Sequence, residues 1–172
     1  MPSRFHGEET YDPSQPLTPD PTFVVDPIDG TVNFIHGYPE ICISLGFAID
    51  RNPVVGVVFN PFTNSLYTGI RSQGAFLNGH KLPLKSDHLE PLRGLDSALV
   101  AMEWGSERDG KNWEVKVRTF EKLGQSKEAG GAMVHSMRSS GSAALNICSV
   151  AAGFADLYWE GGCYSWDVSG KP

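Results

Sequence analysis

Two features of the 172-residue chain predict an α+β or layered α/β fold. Between residues 22 and 84 short apolar runs alternate with turn signals, the pattern of a β meander, and after residue 97 short strand runs alternate with two helical segments. Strands and helices thus come in mixed order. At this length the chain suits one domain over residues 1–172, since domains usually hold ~100–200 residues, and 40% hydrophobic residues suffice for a core.

The elements follow in order. Residues 1–21 hold five of the twelve prolines and read as an irregular loop. Thr22-Phe23-Val24-Val25 reads as a buried strand closed by Asp26-Pro27, which places Asp26 at a strand's carboxyl end. From residue 41 to 49 the alternation is strict: Ile41, Ile43, Leu45, Phe47 and Ile49 share one face, and Cys42, Ser44, Gly46 and Ala48 the other. The second face is small enough for another element to pack very close. Turn signals at Asn52-Pro53, Asn60-Pro61 with Asn64, residues 72–74 and Asn78-Gly79 separate the runs 54–59, 65–70, 75–77 and 81–84, an antiparallel meander. Residues 97–102 form a further strand. Residues 112–123 form a helix with Trp113, Val117 and Phe120 on one face and Gly124 past its end. Residues 133–137 give another strand. The hydroxyls of Ser139, Ser140 and Ser142 then cap an Ala-rich helix that runs through Ala144, Ile147, Cys148 and Ala151 to Gly153, and residues 155–159 form the last strand.

Composition narrows the function. Fourteen Lys and Arg against twenty Asp and Glu leave a formal net charge of −6, the wrong sign for a general nucleic-acid binder. Such a chain can still take a phosphorylated substrate if metal ions supply the positive charge. No apolar run approaches the ~18 residues that span a bilayer, and the amino-terminal residues lack the apolar stretch of a secretion signal, so the expected address is the cytoplasm, with no membrane partner. Cys42, Cys148 and Cys163 are spaced for neither a zinc site nor a disulfide framework and are expected to be reduced thiols in or near the core.

The densest chemical signal is Asp26-Pro27-Ile28-Asp29-Gly30-Thr31-Val32-Asn33-Phe34, two carboxylates three residues apart across a proline-stiffened turn. Hard divalent cations such as Mg²⁺ take oxygen ligands, and this turn offers Asp26, Asp29, the Ile28 carbonyl between them and the Thr31 hydroxyl. Gly30 lets a ligand approach the backbone, and the Gly30 and Thr31 amides suit phosphate oxygens. An Asx-type turn solvated at a strand end fits the same residues, as most Asp-Pro and Asp-Gly turns are of that kind. Gly7-Glu8-Glu9-Thr10 upstream, and Glu160 and Asp167 downstream, are each uninformative alone: a lone acidic pair is usually solvated surface.

Together and in this order, Gly7-Glu8-Glu9-Thr10, the 26–34 turn and Trp166-Asp167-Val168-Ser169-Gly170 resemble the inositol monophosphatase family of metal-dependent, lithium-sensitive phosphatases. Gly74-Ala75-Phe76-Leu77-Asn78-Gly79 and residues 138–146 look like further segments of that family, and the resemblance covers nearly the whole chain. It implies an alternating helix and sheet sandwich, here incomplete. The family's helical region before the glutamate loop and its strand-and-helix region after Asp167 have no counterpart in this sequence. The resemblance also implies two or three Mg²⁺ ions bound by Glu8, Asp26, the Ile28 carbonyl, Asp29 and Asp167, with Asp26 as the bridge. Glu8 and Thr31 match the residues that activate the attacking water, and the Gly30 and Thr31 amides match a phosphate cradle. Asp29, Glu160 and Asp167 match acids that meet substrate, and Gly141, Ser142 and Ala143 match a segment beside the inositol ring, although a capped core helix explains the last two equally well. None of the five histidines has a catalytic role in this scheme, and His6 and His36 are expected behind the site or at the surface.

The implied activity is Mg²⁺-dependent hydrolysis of a small phosphate monoester, myo-inositol monophosphate first and histidinol phosphate or similar esters next, by a metal-activated water. The implied partners are that substrate and either a second copy of the chain or a full-length relative. A contrasting reading is a non-catalytic remnant that keeps the scaffold and acts, if at all, through metal binding or association. On that reading Asp167, five residues from the end of the sequence, is expected to lack the rigid support a tight metal site requires.

Overall fold

The structure, a computed structural model, describes residues 4–8, 17–84 and 91–162. Among them β1 (Arg4–Gly7), β2 (Thr22–Asp29), β3 (Cys42–Ile49), β4 (Asn52–Asn60), β5 (Ser65–Ile70), β6 (Gly74–Leu77) and β7 (His80–Lys81) lie side by side in chain order in one sheet. Strand β1 runs parallel to β2, and all later neighbours are antiparallel. The expected meander is there. Asn78 and Gly79 at positive φ make its last reversal, the conformation that matches strand twist in a tight hairpin. The β3–β4 reversal differs from expectation. It is made by Asp50 and Arg51, both at positive φ, while Asn52-Pro53 belongs to β4. The run 81–84 yields only β7, since Pro83 has no N–H to give a ladder.

Strand β2 does not stop at Val25. It continues to Asp29 across a register break in which Asp26 pairs with Ser44 but Asp29 pairs with Cys42. Three steps along β2 thus oppose two along β3, a one-residue bulge. In a regular strand positions 26 and 29 point to opposite faces; the extra residue turns both inward, and both are buried while Pro27 and Ile28 are exposed. A helix the sequence reading did not foresee, α1 (Thr31–His36), follows directly.

A second, all-parallel sheet places β8 (Leu99–Met102) between β9 (Ser136–Arg138) and β10 (Leu157–Trp159). Helix α2 (Gly110–Gly124) connects β8 to β9, and α3 (Ala143–Ala152) connects β9 to β10. These strands are shorter than expected for local reasons. Residues 95–97 form a 3-10 turn, Met133 adopts positive φ, and Asp156 bends back so that its carboxylate accepts from the Leu99 amide at 2.7 Å. In α2, Trp113 and Phe120 both meet Trp104 with ring centres 5.5 Å apart, but Val117 is exposed and the buried side chain is Lys116.

Helix α3 packs on the small-residue face of the large sheet. Ala144, Leu145, Cys148 and Ala152 meet Cys42, Val58 and Tyr67 in the main core cluster. Cys42 and Cys148 are free thiols, as expected, and Cys163 lies outside the described residues. The opposite face carries the large side chains. In register across five strands stand Phe5, Phe23, Phe47, Val55 and Ile70, with Ile43, Leu45 and Leu66 beside them. Phe5, Phe23, Ile43, Leu45, Leu66 and Ile70 are 39–66% exposed, so a contiguous apolar surface faces outward. The purified chain is therefore expected to bind a hydrophobic reporter dye and to self-associate. Replacing Ile43 and Leu45 by Thr, which keeps strand propensity, is expected to lower both with little change in the melting temperature; undiminished dye binding in that variant would show the face to be covered.

Candidate active site

The bulge at the end of β2 assembles the acids. Because β1 is parallel to β2 with Gly7 opposite Val25, Glu8 emerges beside Asp26. Asp26 is 1% exposed, accepts from the Ile28 amide at 3.0 Å, and is hydrogen-bonded to Glu8. Burial, and then the charges of Glu8 and Asp29, push the Asp26 carboxyl up to about 8. Without a cation, Asp26 thus keeps its proton at neutral pH.

Asp29 is held from across the molecule. Its Oδ2 accepts from the Ser142 hydroxyl and from the Ala144 amide, each at 2.7 Å, and lies 3.8 Å from the Cys42 thiol. Ser142 also caps α3 by accepting from the Leu145 amide at 3.1 Å, so this buried hydroxyl serves helix and carboxylate together. Next to it Gly30, at φ +91°, lets two chain segments meet. A Cβ there would stand 2.8 Å from the Glu40 carbonyl oxygen and 3.3 Å from that of Gly141. Gly141, at φ +86°, is equally constrained: its Cβ would fall 2.7 Å from the Asn33 amide nitrogen. Asn33 stitches the junction by donating to the carbonyls of Glu40 at 2.7 Å and Ser140 at 2.6 Å.

A cleft of about 280 Å³ opens at this junction and collects Asp29, Gly141, Ala143 and Glu160 from the expected set, with Glu103 and Arg108. Glu160 follows β10 and accepts from the Tyr158 hydroxyl. Glu8 and Asp26 do not line this cleft, Ile28 is exposed, and Thr31 is exposed in the first turn of α1. Glu9, Thr10, Trp166 and Asp167 lie outside the described residues. Among the described residues no three His, Cys, Asp or Glu stand close enough together to hold a metal ion by themselves. Asp26, Asp29 and Glu8 offer only oxygens, and burial together with the charges of Glu8 and Asp29 raises the Asp26 carboxyl, a cost that a divalent cation offsets, so their chemistry fits a hard ion.

Two buried charged residues escaped the sequence reading. Lys116 is 1% exposed and donates to the Trp104 carbonyl at 2.7 Å; its ammonium also stands 2.9 Å from where a Gly105 Cβ would be. The signal was available, because position 116 falls in the same helical stripe as Trp113, Val117 and Phe120. Glu103 is the first polar residue after the apolar run of β8, the same strand-end position that marks Asp26.

The profile of the inositol monophosphatase family matches residues 2–170. The chain is 51% identical over 169 residues to inositol monophosphatase 2 of Saccharomyces cerevisiae, a match covering 96% of this chain and 56% of that protein. Among solved structures, the inositol monophosphatase of Anabaena superposes with a TM-score of 0.78 at 31% identity, over 96% of this chain and 61% of that one. The inositol monophosphate-bound structure of SaIMPase-II superposes at 0.76 with 28% identity, over 98% and 59% respectively. The chain thus spans somewhat over half the length of the relatives it matches.

The raised Asp26 carboxyl has a thermodynamic sign. The folded chain holds a proton there that the unfolded chain releases near pH 4, so metal-free stability is expected to fall as pH rises from about 4 to about 8. Urea midpoints in chelator should show this decline in the wild type and a flatter profile in Asp26→Asn. Lys116→Ala orphans the Trp104 carbonyl and opens a void, and is expected to cost about 2–4 kcal/mol in the same titration, against near zero for exposed Lys111→Ala.

Proposed function

Because the chain belongs to the inositol monophosphatase family, we propose that it hydrolyses a small phosphate monoester, myo-inositol monophosphate, to the alcohol and inorganic phosphate with Mg²⁺ as cofactor. The observation that carries this reading is the bulged strand end that turns Asp26 and Asp29 inward together, with Glu8 hydrogen-bonded to Asp26 and Asp29 lining the cleft. Bound Mg²⁺, two or three ions, would neutralise the ester dianion, acidify a water and stabilise the leaving alkoxide. Glu8, Asp26, the Ile28 carbonyl, Asp29 and Asp167 are the proposed ligands, and Asp26 would have to be deprotonated to serve as one. Glu8 and Thr31 would orient the attacking water, with the Glu8 carboxylate as the proton acceptor. The Gly30 and Thr31 amides would hold the phosphate. Gly141, Ala143 and Glu160 flank the substrate's hydroxyls in the cleft, with Asp167 completing that side and Ser142 acting through its bond to Asp29.

This setting is one of a cytoplasmic enzyme acting on a small molecule, alone or paired with a second copy. The contrasting scaffold reading, association without turnover, draws on the outward apolar face of the large sheet. Phosphate release from myo-inositol 1-phosphate separates the two. The purified 172-residue chain is expected to turn over with Mg²⁺ and not in chelator, and Asp26→Asn is expected to lose about 100-fold. No turnover from a folded sample would favour the scaffold.

A further inference from the structure

We propose that Glu103 is a positioning residue for this reaction: its carboxylate clamps residues 139–146 so that the segment presents Ser142 and the Ala144 amide to Asp29. The phosphatase reading supplies what Asp29 does; the clamp is read from the geometry. Glu103 is 8% exposed. Its Oε1 accepts from the Ser140 amide at 2.8 Å, the Gly141 amide at 2.8 Å and the Asn146 side-chain amide at 2.7 Å, while Oε2 accepts from the Ser139 hydroxyl at 2.8 Å. A carboxylate has about four lone-pair sites, two on each oxygen, so three donors crowd Oε1 while Oε2, with one, keeps a site open. Although Glu103 borders the cleft, most of its acceptor capacity is thus turned toward the 139–146 segment.

The other side of the same segment is the site. Ser140 gives its carbonyl to Asn33 at 2.6 Å, the Gly141 carbonyl abuts Gly30, and Ser142 and Ala144 hold Asp29. Gly141 sits at positive φ, a conformation its own short stretch of chain does not enforce, and Glu103 grips its amide and the one before it. Remove the carboxylate and two partly buried backbone hydrogen bonds are lost at the point where the loop must stay bent. Asp29 then loses the fixed direction of its two strong donors, although Glu103 touches neither Asp29 nor its partners.

Glu103→Gln, Glu103→Asp and Glu103→Ala in the full chain test this. Gln retains the geometry: its carbonyl replaces Oε1 for the three amide donors, and its NH₂ faces a Ser139 hydroxyl free to turn and accept. It is expected to stay within about threefold of wild type, while Ala loses about tenfold or more in both Mg²⁺ affinity, by calorimetry, and kcat, with the KM for myo-inositol 1-phosphate little changed. Hydrogen exchange in metal-free protein should show Ser140 and Gly141 amides losing protection in the Ala variant. Should Ala not fold, Asp, one methylene shorter, is expected to show the same split at smaller size. Wild-type Mg²⁺ affinity in folded Ala or Asp variants overturns the proposal, as does equal impairment of Gln and Ala, which would mean that charge rather than positioning matters. Mg²⁺ binding without turnover in the wild type would refute the phosphatase reading and still leave affinity to decide on Glu103; no Mg²⁺ binding in the wild type overturns both.

Discussion

The bonds that tie Asp29 to the start of α3 are the constraint on which the arrangement depends. Asp29 belongs to the large sheet, whereas Ser142 and Ala144 open the helix that crosses between two strands of the small one. Hydrogen bonds to a buried carboxylate contribute about 1.5–3 kcal/mol each, so this contact weighs heavily in a molecule of marginal stability. It is also the point where packing becomes chemistry. The residue that docks the helix on the sheet is the residue proposed to face the metal, and the fold cannot relax at one without moving the other.

Much of this was legible in the sequence. The meander, the Asn78-Gly79 reversal, the capped Ala-rich helix and the acids of the 26–34 segment all carry local signals. So does the close packing on the small face of β3; what packs there does not. Cys42, Ser44 and Gly46 are buried while Ile43 and Leu45 stay exposed, because α3 offers Ala144, Cys148 and Ala152 and small surfaces approach closely. That choice is made by residues a hundred positions away. The bulge was hidden for a related reason: Asp26-Pro27-Ile28-Asp29 reads as a turn, and only its pairing with Ser44 and Cys42 shows it to be strand with one residue to spare.

Glu103 and Lys116 illustrate a different gap. A charged residue beside an apolar run reads as surface, since burial of a lone charge is costly, and its partners are backbone groups that no composition or motif announces. The carbonyl of Trp104 and the amides of Ser140 and Gly141 exist as partners only after the loops have taken their shapes. Glu103 lines the cleft, and Lys116 holds the carbonyl of Trp104, which lines it too.

The strict chain order of the large sheet bears on how the molecule is made. Each of its strands pairs with the one just before it, and from β3 onward every reversal is short, so the sheet can assemble progressively as the chain leaves the ribosome. Glu8, Asp26 and Asp29 are all present by then. Their restraint is not, because the donors to Asp29 are synthesised more than a hundred residues later. Until α3 emerges the nascent chain therefore carries these acids on a formed sheet without the Ser142 and Ala144 donors, and the arrival of α3 is the event that fixes Asp29 at the edge of a pocket.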